Sequence, residues 1–108
     1  MTSTQITEML EGVMPGRAYH HAAPEGSIPC LVWDTTGYKY TRGDNGPVLR
    51  ARRFVVNLLT QTDDDPVLSA LIQELARRHV AFSDPESSYD AELAVIVHSI
   101  NCEALCRG

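Results

Sequence analysis

The stretch from Val48 to Gln61 constrains the fold more than any other part of the chain. Its residues alternate as a strand does, with Phe54, Val56 and Leu58 on one face and Val55, Asn57 and Leu59 on the other. Arg50 and Arg52 fall on the first face ahead of Phe54, so burial there begins only near Phe54. The second face, from Leu49 and Ala51 to Leu59, is moderately apolar as well. A strand apolar on both sides sits centrally in a sheet, or has a helix on one face and a partner subunit on the other. Ala91 to Ile100 repeats the pattern, with Leu93, Val95 and Val97 against Ala94, Ile96, His98 and Ile100.

Between these strands lies a helix with a legible start. Asp65 is placed to cap it, Pro66 suits the first helical position, and the acids of Asp63-Asp64-Asp65 favour the positive end of the helix dipole. Val67 or Leu68, Leu71 or Ile72, Leu75 and Ala76 form the apolar stripe, and Glu74 stands four residues before Arg78. A second helix opens the chain over residues 3–14. Ile6, Met9 or Leu10, and Val13 recur at helical spacing, Ser3 or Thr4 is expected to cap, and Pro15-Gly16 ends it. About three turns are unstable alone, so this helix must dock on a larger surface.

Tyr19 to Pro29 reads as a connector, and Leu31-Val32-Trp33 as a strand that begins after Pro29 and ends near Asp34 to Gly37. Tyr38-Lys39-Tyr40 resumes extended structure, and Arg42-Gly43-Asp44-Asn45-Gly46-Pro47 is a turn whose flanking strands should pair as a hairpin. Val80 to Ser88 is expected to turn back through Asp84-Pro85-Glu86, and Asn101 to Gly108 to form a short tail. The expected fold is α+β: a three- to four-stranded sheet with two helices on one face. The last strand could run parallel or antiparallel to the long one; the pattern does not decide.

The 108 residues suit a single domain, and 44% apolar content argues for a folded core. The net charge of -5 divides unevenly: -2 over residues 1–15, +3 over 16–60 and -6 over 61–108. Overall acidity argues against a conventional nucleic-acid module, and the asymmetry could orient neighbouring copies head to tail. No apolar run approaches the roughly 18 residues that span a bilayer, and no secretory signal is expected. Cys30, Cys102 and Cys106 are an odd set that suits a reducing compartment. On a helix Cys102 and Cys106 would stand together, but no Cys/His quartet accompanies them.

Catalytic chemistry finds little to hold. His20 and His21 are adjacent, and on an extended chain they point apart, which disfavours shared chelation. His79 falls at a helix end and His98 on a strand. Three consecutive aspartates lack the alternating ligand pattern of a calcium loop. Neither a phosphate loop nor a nucleophile elbow is present. No catalytic, cofactor-binding or metal residue is assigned, and Arg52 and Arg53 should face opposite sides of their strand.

At Ile28-Pro29-Cys30-Leu31-Val32-Trp33, Arg53 to Thr60, Pro66 to Val80 and Tyr89 to Ile100, the chain resembles small tail-completion or tail-terminator proteins of long-tailed bacteriophages. The shared order is an opening helix, a proline introducing an apolar strand, a turn, a longer strand, a helix and a closing strand, over roughly residues 5–101. The resemblance implies a ring, commonly a hexamer, at the end of a tail tube. Such a ring stops tube growth, joins a head-side connector protein and passes DNA without reading it. It also implies a virion location at the head-tail junction, assembly in the host cytoplasm and no catalytic residue or cofactor. Expected ring contacts are Phe54, Val56 and Leu58 or their opposite face, with Arg50, Arg52 and Arg53 and the main-helix surface. The three arginines and the compact 43–47 turn depart from the family's hairpin, which leaves the charge of the lumen open. The alternative is a small cytoplasmic enzyme or ligand-binding α+β protein acting as a dimer.

Overall fold

A computed structural model describes residues 1–42 and 48–106. The turn expected at 43–47 and the last two residues lie outside the described residues. The elements run α1 (Ser3–Val13), β1 (Ala18–His20), β2 (Cys30–Arg42), β3 (Val48–Thr60), α2 (Pro66–Arg77), β4 (Ala81–Phe82), β5 (Glu86–Asp90) and β6 (Val95–Leu105). The class is α+β as expected, but the sheet has six strands rather than three or four.

The strand order is β1-β2-β3-β6, with β4 and β5 following one another along the far edge of β6. β2 and β3 form the expected hairpin, paired antiparallel from Cys30↔Leu59 to Arg42↔Val48 with a bulge between Thr35 and Gly37. The two strand pieces expected over 31–40 are therefore one strand, and the bulge is where its alternation breaks. β6 lies antiparallel to β3, from Ala51↔Leu105 to Thr60↔Ile96. It also corrects the expected boundaries. Residues 91–94 form a turn, in which Asp90 Oδ1 accepts from the Glu92 and Leu93 amides and Ala94 takes φ 53°. Residues 101–105, expected as tail, are strand.

β3 is thus central in the sheet, and the helices cover one of its two apolar faces. Phe54, Val56 and Leu58 lie on the same side as Leu31, Trp33, Ile100 and Cys102, and the stripes of both helices, Ile6, Met9 and Leu10 with Leu71 and Leu75, close over them. Both helices pack on this one face. Fully burying a side chain of this size contributes about 1.5–3 kcal/mol, so this layer is the main source of stability. Trp33 anchors α1 by donating from Nε1 to Thr7 Oγ1 at 3.1 Å.

The caps differ in one place from expectation. Thr2, not Ser3 or Thr4, caps α1, exchanging bonds with Gln5 in a capping box. α2 starts as read: Asp65 Oδ1 accepts from the Val67 amide at 2.9 Å, and Pro66 fills the first position. The second Asp65 oxygen accepts from the buried Thr60 hydroxyl at 2.7 Å, tying the end of β3 to the helix. Glu74 accepts from both Arg77 and Arg78.

The opposite sheet face has no helix among the described residues. The segment 22–28 lies over one end of it. Ile28, Cys30, Val32, Leu59, Leu93 and Val97 help line a depression of about 460 Å³ there.

Candidate functional site

The pairing register sorts charge along the long axis of a chain 52 Å in its greatest extent. Near the β2–β3 hairpin end, the register sets Tyr38 opposite Arg52 and Tyr40 opposite Arg50, on the continuation of the core face. Tyr40 is 62% exposed and Tyr38 41%. The Arg50 guanidinium lies 4.1 Å from the Tyr38 ring centre and 6.0 Å from that of Tyr40, a cation–π arrangement that holds the arm's surface in shape. On the other side of the arm, Leu49 and Leu105 are exposed, and Arg53 pairs with Glu103 at 3.1 Å. With Lys39 also exposed, this end is basic and apolar together.

The other end has the opposite character. β3 ends at Thr60, opposite Ile96, and β5 ends at Asp90, opposite Val95. The loop after Thr60 presents Asp63 and Asp64, and the 91–94 turn presents Glu92. Tyr89 and Leu93 stand beside them, 66% and 58% exposed. Each end therefore exposes large apolar side chains together with charge, basic at one end and acidic at the other. Such complementary patches on one subunit suit a head-to-tail contact between copies.

The expected contact residues divide three ways. Phe54, Val56 and Leu58 are wholly enclosed by the chain's own helices, so they have no surface to offer a neighbour. Helix cover on their face removes them, and the opposite face of β3, with Val55, Asn57 and Leu59, is the one left half-open. Arg52 turns inward: its Nε and one terminal nitrogen donate to Thr35 Oγ1 at 2.9 and 2.7 Å, and that nitrogen also donates to Ser3 Oγ at 2.9 Å. Its guanidinium also sits 5.2 Å from the centre of the Trp33 ring. Arg50 and Arg53 remain exposed.

The histidines correct the expectation that neighbours on an extended chain point apart. His21 leaves the strand with φ 73°, a left-handed conformation uncommon outside glycine. Its ring then stacks on that of His20 at 3.8 Å, and His20 in turn stacks on Trp33 at 3.8 Å, 2° from parallel. His21 Nδ1 lies 2.9 Å from Asp34 Oδ1, while His20 Nε2 is 4.0 Å from that oxygen. The bond with His21 holds the Asp34 carboxyl below its usual range, whereas burial, then the His21 charge, pull His20 down. No spacing in the sequence announces this cluster; only the break in extension after His20 creates it.

The other candidates separate. His98 sits buried on β6 with Nδ1 2.7 Å from the Ser87 hydroxyl, and His79 follows α2 with φ 57°. Cys102 and Cys106 lie on or just past a strand, not on a helix, and all three cysteines are free. Burial pushes the Cys102 thiol up to about 12. No helix among the described residues is long and apolar enough to cross a membrane.

No protein-family model matches the chain, and no curated protein matches it in sequence. Among solved structures, its fold is similar to a chain in the virion of a native gene transfer agent particle. The TM-score is 0.56 at 11% identity, covering 92% of this chain and 84% of the other.

Proposed function

We propose that this chain is a structural, non-catalytic component of a phage-like virion, and within it a tail-terminator or tail-completion subunit. Copies close into a ring, commonly six in proteins of this type, at the end of the tail tube. The ring stops tube growth and presents the surface that the head-side connector protein meets. The observation that carries the reading is the division of charge and exposed apolar side chains between the two ends. The fold's likeness to a chain of a gene transfer agent virion supports it over most of both chains.

In a closed ring every contact joins two different surfaces of the same subunit, so each copy needs complementary patches. Tyr38, Tyr40 and Arg50, with Leu49 on the reverse of the same arm, supply one, and Leu93, Tyr89, Asp63, Asp64 and Glu92 supply the other. Arg53 borders the first patch, beside Glu103. Net negative charge also suits a channel through which DNA must pass without being held, because each neutralised phosphate adds salt-dependent affinity. The test is end-binding. Purified protein mixed with tubes assembled from the tail-tube protein of the same particle should appear by negative stain as a cap at one tube end. Protein that leaves both ends bare overturns the reading.

A further inference from the structure

The cluster of His20, His21 and Asp34 lies outside every surface used above, at the edge where β1 meets β2. We propose that it is a binding site for a single divalent transition ion of the zinc class, held by one nitrogen from each histidine and a carboxylate oxygen of Asp34. The two histidines and one carboxylate form the mixed nitrogen and oxygen donor set that borderline ions such as zinc prefer over magnesium or calcium.

Geometry carries the proposal. One donor atom from each residue lies within 4.8 Å of the other two. A tetrahedral zinc ion with bonds of about 2.0–2.1 Å needs donors roughly 3.3–3.5 Å apart. The distances to Asp34 Oδ1, 2.9 and 4.0 Å, bracket that spacing. Moreover, His20 Nε2, like His98 Nε2, is shielded from water and has no hydrogen-bond partner, but of the two only His20 has other metal-ligating side chains grouped beside it among the described residues. Trp33 fixes the His20 ring from one side, so this ligand is already immobilised.

Binding requires the stacked rings of His20 and His21 to separate. Two nearly parallel rings cannot both aim a lone pair at one ion, so one must turn. His21 is the one that moves, because its side chain is 67% exposed whereas His20 is sandwiched. Its Nδ1 exchanges the bond to Asp34 for a bond to the ion, and any proton on that nitrogen leaves for solvent. Three protein ligands leave the fourth position to water or to a donor from a neighbouring molecule.

Cobalt(II), whose visible absorption reports its coordination, and zinc chloride in calorimetry are the probes. Binding should saturate at one equivalent, and the His21 imidazole resonances should shift with it. His21→Ala and Asp34→Asn, both at the surface, should each weaken binding on the order of 100-fold with the far-UV spectrum unchanged, at or above the cost of losing a supporting partner of a metal ligand. His79→Ala should change nothing. Absence of saturable binding overturns the proposal, as does binding that survives both variants or that is lost in Cys106→Ser. This outcome is independent of tube capping, so either proposal can fail alone.

Discussion

Three arginines within four residues of β3 do three different things, and Arg52→Met separates them. Methionine keeps most of the aliphatic stem while removing the guanidinium. The change deletes the bonds to Thr35 and Ser3 and the cation–π contact with Trp33. Hydrogen bonds to a charged group contribute about 1.5–3 kcal/mol each when buried, and this one is half-buried with two hydroxyl acceptors open to partial rehydration. About 1 kcal/mol for each hydroxyl, with about 0.5–1 kcal/mol for the aromatic contact, gives a loss of about 2–3 kcal/mol. At about 4–8 °C per kcal/mol for a domain near this size, the midpoint should fall by roughly 10–20 °C.

The comparison that gives this meaning is Arg53→Met. Its pair with Glu103 is half open to water, and such pairs contribute about 0–1 kcal/mol. Urea unfolding of the two variants beside the parent is the assay. If Arg52→Met falls within about 0.5 kcal/mol of the parent, the size of an ordinary surface change, or if Arg53→Met costs as much, the inward role of Arg52 is refuted. Replacing Ser3 by alanine should remove only the part of the loss that runs through α1.

Asp65→Ala removes the α2 cap and strands the buried Thr60 hydroxyl, so urea unfolding should show a loss of about 2–3 kcal/mol, with Asp65→Asn recovering part of it. Glu74 is held down to about 2 from the usual 4.5, chiefly by the hydrogen bond from Arg77 and then that from Arg78. A depressed carboxylate stabilises the fold above its unfolded value, and the contribution is lost as pH falls from about 4.5 towards about 2. Both arginines are open to water, so the difference between parent and Glu74→Gln should be on the order of 1 kcal/mol at pH 7 and should vanish near pH 2. The Cys102 thiol, buried and raised to about 12, should react with an aromatic disulfide reagent only on unfolding, whereas the less buried Cys106 should react in the native protein. Mass mapping of the labelled cysteine checks this.

What the sequence disclosed follows from which patterns are local. The Asp65-Pro66 helix start, the Glu74–Arg78 pair and the apolar alternation of β3 each depend on residues a few positions apart, and each appears where the pattern places it. The short strands did not show. β1 has only three residues, and β4 and β5 present mainly exposed side chains, so neither has an apolar period to read. The start of β6 is hidden in the sequence because Ala91 to Ala94 continue the alternation of the strand that follows, and only the Asp90 bonds and the backbone at Ala94 reveal a turn. That β3 is apolar on both faces is legible, but which face the helices cover is not, so the pattern alone leaves Phe54, Val56 and Leu58 and the opposite face equally open as contact surfaces; the helices close over the first. The His20–His21–Asp34 cluster depends on one left-handed residue and one strand pairing, and neither leaves a trace in spacing.

Tube length decides the central claim most directly. Tube protein polymerised with increasing amounts of this chain should give progressively shorter tubes with a narrowed length distribution and a ring at one end. The double variant Arg50→Glu, Arg53→Glu should remain folded and lose that effect, because the basic end no longer meets the acidic one. Tubes whose length is indifferent to the chain at any ratio would contradict the account.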